Sequence, residues 1–287
     1  MTDCTHETSE EYNMFVYSTS GRISSVYRYQ ALLEDVLQTD IKYIVPKNID
    51  AKVCPKEYTD IIRRKNCLGG SISKDIKNAV IPYLDSLDDS ANSLQSVNTV
   101  IHSKQGGLIG HNTDIIGFKE AIIKGIERSG VDVVKKAVCY GYGGVTNVAA
   151  VVLTNMGVEL FISGRNADKI LQRSQELSNL TSSVVLPWNE SIQADLFINA
   201  APVTDKDLSE ADNFLESLKG CKIAFDHEMP GTNLNNYCKE NDIQYISGYD
   251  MYYPQMIAQW SLFLGKKLSK DEIQRAEEIA KERMKSI

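Results

Sequence analysis

Short runs of β-branched and aromatic residues alternate along the chain with segments whose apolar positions recur every three or four residues, and Gly, Asn and Ser punctuate the joins. This alternation predicts an α/β fold. A first strand is expected at Met14–Ser18, a helix around Tyr29–Leu37, and a strand Ile41–Val45 stopped by Pro46. Asn78–Leu87 reads as a helix, with Pro82 tolerable only in its first turn. Val97–His102 and Leu108–Gly110 read as a hairpin turning through Gln105, Gly106 and Gly107. From Asp114 the pattern becomes helical, and Ile115, Ile116, Ile122, Ile123 and Ile126 give a stripe that ends near Gly130; this helix is expected to bridge two domains. Strand Ala137–Tyr140, helix Val145–Met156, strand Leu160–Ser163, helix Ala167–Leu177 and strand Ser183–Leu186 then form a mononucleotide-binding βαβ series. Strands Leu196–Ala200, Ile223–Asp226 and Gln244–Ser247 extend a parallel sheet, and helices Tyr253–Leu264 and Lys270–Ser286 close the chain. Ser269 and Glu272 make a capping box at the start of the last helix.

With 287 residues, 43% of them hydrophobic, the chain is long enough for its core to split in two. The expected organisation is a Rossmann-like doubly wound parallel sheet, residues 114–247, inserted into an α/β substrate-binding domain made of residues 1–113 and 248–287. A net charge of −7 without a Lys/Arg-dense stretch argues against a nucleic-acid partner and for a small-molecule substrate. The six cysteines show no CxxC pair, as expected of reduced thiols in a cytoplasmic protein. Met1–Asn13 is polar and acidic, and no segment offers about 18 uninterrupted apolar residues, so neither secretion nor a membrane is expected. The four histidines lack helical i, i+4 spacing, and no metal is expected. A second copy of the chain, as a homodimer, stays open as a partner.

The candidate cofactor signal begins where Tyr140 leads into Gly141-Tyr142-Gly143-Gly144-Val145-Thr146-Asn147. Glycines there let a backbone approach a pyrophosphate while a helix N-terminus offers N–H donors. The motif departs from G-x-G-x-x-G at its third glycine, and an ordinary Gly-rich turn is the competing interpretation. At the end of the next strand, where an acid would bind a ribose 2′-OH, stand Gly164-Arg165-Asn166 and then Lys169. Both cations suit a 2′-phosphate, hence NADP, against the alternative of solvated charges at a helix start.

Four stretches resemble the shikimate dehydrogenase family, in the family's order. Ser96-Val97-Asn98-Thr99 is similar to its VNT strand, His111 to Phe118 (HNTDIIGF) to its NTDxxGF segment, Gly141 to Gly144 to its GAGG turn, and Gly248 to Gly265, with Met251, Gln255 and Gln259, to its GxxMLxxQAxxQ helix. Ser71 to Asp85 further resembles the family's N-V-T-x-P-x-K segment and the EAVIPYLD helix behind it, which puts Lys77 on the family's catalytic lysine and Asp114 on its aspartate. The resemblance implies a Lys77 and Asp114 acid–base pair, with Ser24, Ser73, Asn98 and Gln255 holding substrate. It implies a cofactor held by Gly141, Gly143, Gly144, Val145, Arg165, Lys169 and Gly248. The activity implied is reversible, NADP-linked oxidation of a ring hydroxyl of a small cyclic hydroxy acid, shikimate or a relative such as quinate. Hydride transfer builds charge on oxygen, which a lysine can neutralise. Lys77 as a solvated helix-entry cation and Asp114 as a helix cap is the competing interpretation.

This chain departs from the family in its substrate segment. The S-x-S-P serines become Ser24 and Val26, the N-V-T residues become Ser71 and Ser73, and Asp75 replaces a proline. Ala201 stands where a threonine is usual, and His227-Glu228-Met229-Pro230 replaces a tyrosine-bearing segment; His227 is expected to be a partly buried structural residue. The rival functions are the same chemistry on a different hydroxy acid, and a non-catalytic dinucleotide-binding sensor.

Overall fold

The computed structural model describes residues 13–19, 21–46, 54–73, 76–178, 181, 183–201, 212–227 and 233–285. The chain divides into two compact units, one built from the segments up to Thr113 and from Gln255 onward, the other from Asp114–Pro254. The sequence predicts a return to the first domain at 247/248, whereas the division falls at 254/255, because the helix there starts in one unit and ends in the other.

The first unit opens with β1 (Met14–Ser18) and α1 (Ile23–Gln30), which runs on as a π-helical turn over Ala31–Val36. The Leu37 N–H reaches back to the Leu32 carbonyl at 2.9 Å, the long span that marks a π turn. β2 (Ile41–Ile44), α2 (Pro55–Ile62) and β3 (Cys67–Ser71) follow. After a 3₁₀ turn at Ile81–Tyr83 come β4 (Ser86–Leu87), α3 (Asp89–Leu94), β5 (Thr99–His102) and β6 (Leu108–His111). The six strands make one mixed sheet in the order β2-β1-β3-β5-β6-β4.

Asn78–Leu87 is therefore not the helix its composition predicts. The chain is turned by Ile81–Tyr83 and becomes extended at Leu84, because Pro82 cannot continue a helical ladder and Asp85 is drawn elsewhere. The Asp85 carboxylate accepts the Leu108 N–H at 2.6 Å and pairs with Arg63 at 2.7 Å, which lays the segment along β6. β3 escapes a propensity reading for a related reason: its glycines are packing requirements. A Cβ at Gly70 would overlap the Tyr58 hydroxyl and the Ile62 side chain, so α2 can seat on the sheet only over a bare backbone.

The second unit begins with α4 (Asp114–Ser129), then β7 (Lys136–Tyr140), α5 (Gly144–Asn155), β8 (Glu159–Ser163), α6 (Ala167–Leu177) and β9 (Ser183–Val185). β10 (Leu196–Asn199), α7 (Asp212–Lys219), β11 (Ile223–Asp226), α8 (Asn233–Glu240) and β12 (Gln244–Ile246) complete it. Its sheet is wholly parallel in the order β12-β11-β10-β7-β8-β9. Counted within the unit this is the doubly wound 3-2-1-4-5-6 arrangement, with its switch point between β7 and β10. Tyr140, Phe197 and Phe214 pack together in the core on one face, Tyr140 stacked on Phe197 and Phe214 set edge-on to Phe197.

α9 (Gly248–Leu264) starts five residues earlier than predicted despite Pro254 inside it. Its first turn is locked because the Ser247 N–H and hydroxyl both donate to the Asp250 carboxylate at 2.9 Å, while the Asp250 N–H returns to the Ser247 carbonyl. α10 (Lys270–Lys285) ends the described chain; the predicted capping box is present, with the Ser269 N–H on Glu272 at 2.7 Å and the Glu272 N–H on the Ser269 hydroxyl at 3.2 Å. Buried Glu277 ties α10 to Arg28 on α1 at 3.3 Å.

Candidate active site

In the first unit, polar residues that lie far apart in sequence converge where β1, β3 and β5 approach the segment 111–113. Asn98 is 3% exposed, and its amide is the hub. The Asn98 Oδ1 accepts the Thr99 hydroxyl at 2.7 Å and the Thr113 N–H at 3.0 Å, and its Nδ2 donates to the Thr113 Oγ1 at 3.0 Å. From α9, Gln255 donates to the same Thr113 Oγ1 at 2.9 Å. One turn on, Gln259 donates to the Asn98 carbonyl at 3.1 Å and to the Thr99 hydroxyl at 2.9 Å. The structure thus brings Asn98 and Gln255 together. Thr99, Thr113 and Gln259, which sequence reasoning did not assign, complete the network; they sit inside the motifs that carried the resemblance, and that position was the available signal.

A second group of hydroxyls lies at the ends of β1 and β3. Thr19 donates to Ser73 at 2.9 Å and its Oγ1 accepts the Ser73 N–H at 2.7 Å, while Ser71 donates to Ser18 at 2.8 Å. Tyr43 also hydrogen-bonds to Ser18 and Ser71, and burial pushes its phenol well above the usual range. Ser73 is therefore within a built polar cluster. Ser24 is not: it is exposed in the first turn of α1, and among the described residues its side chain joins neither network.

Lys77 lies half-buried in the turn after β3, and its carbonyl accepts the Val97 N–H at 2.9 Å, which anchors the turn beside Asn98. Asp114 opens α4 in the second unit as the acid of its first turn. The segment leading to it is held from the first unit's side. His111 Nδ1 meets the Asp88 carboxylate at 2.7 Å, Asp88 caps α3 by accepting the Ala91 N–H at 2.9 Å, and the Asn112 N–H donates to Ser90 Oγ at 2.8 Å. Burial opposes ionisation of Asp88, but hydrogen bonds from His111, Ser90 and Ala91 outweigh it and lower its pKa.

In the second unit the glycine turn sits at the switch point. Gly141 has a φ of 137°, and a Cβ there would lie 2.9 Å from the Ala200 carbonyl group, so the close approach of β7's end to β10 requires glycine. Cβ atoms at Gly143 and Gly144 would meet nothing within 4 Å, which leaves the backbone of this turn accessible to a ligand of phosphate size. Gly143 caps α5 without a side-chain hydrogen bond, so the first N–H groups of that helix, including that of Val145, have no side-chain acceptor at the cap. This donor set fits a dinucleotide pyrophosphate. Arg165 and Lys169 are exposed at and just after the end of β8, where Asn166 caps α6 by accepting the Lys169 N–H at 3.0 Å. Gly248 begins α9. A buried network not predicted from sequence crosses the strand ends: Asn199 donates to Asp226 at 3.0 Å, and so does Tyr245 at 3.2 Å.

His227 is exposed rather than partly buried, and its N–H donates to the Asn199 carbonyl at 3.0 Å; Asp75 and Glu228–Pro230 lie outside the described residues. The five described cysteines are free. Burial pushes Cys67, Cys139, Cys221 and Cys238 up to about 12, so those thiols stay protonated and inert. Among the described residues no helix is long and apolar enough to cross a membrane.

A six-stranded parallel sheet with a glycine turn at its switch point, next in sequence to a separate α/β unit, defines the second unit as Rossmann-like. No family profile matches the chain. It is 30% identical over 182 residues to the shikimate dehydrogenase (NADP(+)) of Pelagibacter ubique, covering 62% of this chain and 66% of that one. It is also 30% identical over 147 residues to that of Desulforamulus reducens, covering 48% and 50%. A shikimate dehydrogenase-like protein of Haemophilus influenzae is 28% identical over 229 residues, covering 77% and 80%. The chain thus spans 66% and 50% of the first two relatives' lengths. Among solved structures, a shikimate 5-dehydrogenase-like protein superimposes with a TM-score of 0.74 at 25% identity, covering 94% of this chain and 98% of that one. The quinate dehydrogenase from Corynebacterium glutamicum in complex with NAD shares the fold, with a TM-score of 0.74 at 22% identity over 93% and 98%. The chain belongs to the family of shikimate dehydrogenases and shikimate dehydrogenase-like proteins.

Proposed function

We propose that this chain is an NADP-dependent dehydrogenase that reversibly oxidises a ring hydroxyl of a small cyclic hydroxy acid, shikimate or a close relative. The observation that carries the reading is the bonding of Asn98, Thr113 and Gln255, from three separated motifs, into one network at the strand ends. Amide and hydroxyl groups held this way present donors and acceptors at fixed angles, the arrangement that selects a polyhydroxylated ligand. The Gly141–Gly144 turn and the N-terminus of α5 would hold the pyrophosphate, with Arg165 and Lys169 toward a 2′-phosphate. Bound NADP supplies the hydride acceptor. Lys77 takes the hydroxyl proton in oxidation and returns it to the carbonyl oxygen in reduction, with Asp114 assigned as its acid–base partner.

Val26 and exposed Ser24, where the family carries two serines, favour a second reading in which the acid differs from shikimate, for example quinate. The deciding test follows absorbance of the reduced nicotinamide with purified protein, NADP or NAD, and shikimate or quinate in turn. Turnover with NADP and shikimate supports the first reading, and turnover with quinate alone supports the second. Dinucleotide binding with no turnover of either acid removes shikimate and quinate as substrates and leaves the same chemistry on another hydroxy acid, or a non-catalytic binding sensor.

A further inference from the structure

We propose that Tyr142 is a positioning residue for cofactor selection: it holds the Lys169 ammonium at the β8–α6 turn, which also carries Arg165, so that this turn favours a dinucleotide carrying a phosphate monoester on its adenosine ribose. The inference rests on the cofactor reading above. Tyr142 is a large side chain in a turn otherwise made of glycine, and it remains 38% exposed, so it does not fill the core. The Lys169 Nζ lies 5.1 Å from its ring centroid, within the range of a cation–π contact. The ring also lies near the end of β8: a Cβ at Gly164 would lie 3.9 Å from Tyr142 Cδ1, beyond the Ile170 side chain at 3.0 Å.

Both ends of this contact are fixed. The Tyr142 carbonyl accepts from Arg173 Nε at 3.0 Å, and Arg173 is held in turn by Glu176 at 2.7 Å. The Lys169 N–H is bound to the Asn166 side chain at 3.0 Å, so the lysine is anchored at its backbone and at its charged head. A free lysine loses rotamer freedom when it grips a phosphate; one already parked on an aromatic face has lost much of it beforehand. A 2′-hydroxyl has no charge to exploit a pre-placed cation, so the gain is confined to the phosphorylated dinucleotide. At an exposed site, a cation–π contact changes an equilibrium by about two- to fivefold.

The test measures the Kd of NADPH and NADH through nicotinamide fluorescence for the full chain and four variants. Tyr142→Ala should weaken NADPH by about two- to fivefold and NADH far less. Tyr142→Phe, which keeps the ring, should retain the original ratio of the two affinities. Adding Tyr142→Ala to Lys169→Met should weaken NADPH no further than Lys169→Met alone, since the ring acts only through the lysine. Equal weakening of both dinucleotides by Tyr142→Ala, a loss with Tyr142→Phe as large as with Ala, or additive effects in the double variant would each overturn the inference. An original chain that binds neither dinucleotide removes the cofactor reading and this inference with it; one that binds both, with a ratio unmoved by Tyr142→Ala, removes this inference alone.

Discussion

Lys77 shows how much chemistry one position is asked to carry, and how it can be checked independently of binding. If Lys77 exchanges the substrate proton as proposed, replacing it by Ala removes that group while leaving the Gly141–Gly144 turn unaltered in sequence. Turnover should fall by roughly two orders of magnitude while cofactor Kd stays put. Steady-state kinetics alongside fluorescence titration checks this, and an unchanged kcat would remove Lys77 from the reaction. Lys77, Asn98 and Gln255 could be singled out from the sequence because their flanking residues place them in recognisable segments. Thr99, Thr113 and Gln259 were not, since nothing local distinguishes a threonine that bonds a distant amide from one that faces solvent, until the fold brings their partners within 3 Å. Ser24 is the opposite case: its place after the first strand suggested a substrate contact, yet the helix begins at Ile23 and leaves it exposed.

Among the elements, the strands and helices of the second unit were read almost residue by residue, because buried parallel strands are continuous apolar runs and their helices carry clear periodicity. Asp212–Lys219 and Asn233–Glu240 were missed: eight-residue helices give too short a window for a 3.6-residue period to declare itself. The first unit was harder because its elements are fixed by tertiary demands, as β3's bare glycines and the Asp85 contacts show. α3 is such an element, six residues long and dependent on its cap. Asp88→Ala should therefore cost about 1 kcal/mol of stability near neutral pH. The pH dependence has a definite sign. Because Asp88's pKa is lowered by folding, its ionised form contributes stability above the unfolded value of about 3.9, and that contribution is lost as pH falls through the folded value. Urea melts at neutral and strongly acidic pH should show the gap between the original chain and the variant narrowing in acid. A gap that is constant, or widens in acid, would mean the carboxylate's charge plays no part.

At the scale of the whole molecule, two sheets with separate cores imply that ligand binding and stability are linked unit by unit. The chain has two tryptophans, and they are placed one in each unit. Trp260 is buried against Tyr29 and Tyr43 in the first, and Trp188 packs edge-on against Tyr140 in the second. Trp188→Phe leaves a reporter for the first unit and Trp260→Phe one for the Rossmann-like unit. A ligand that binds only the native state stabilises it by about 2.7 kcal/mol at one hundred times its Kd. If the dinucleotide is held by the turn after β7, saturating NADP should raise the unfolding midpoint seen by Trp188 more than that seen by Trp260. Equal shifts would mean that the two units unfold as one cooperative block, in which case the division of the chain is architectural and not energetic. A shift confined to Trp260 would place the dinucleotide on the other unit and overturn the assignment of Gly141 to Gly144, because linkage can stabilise first only the unit that makes the contacts.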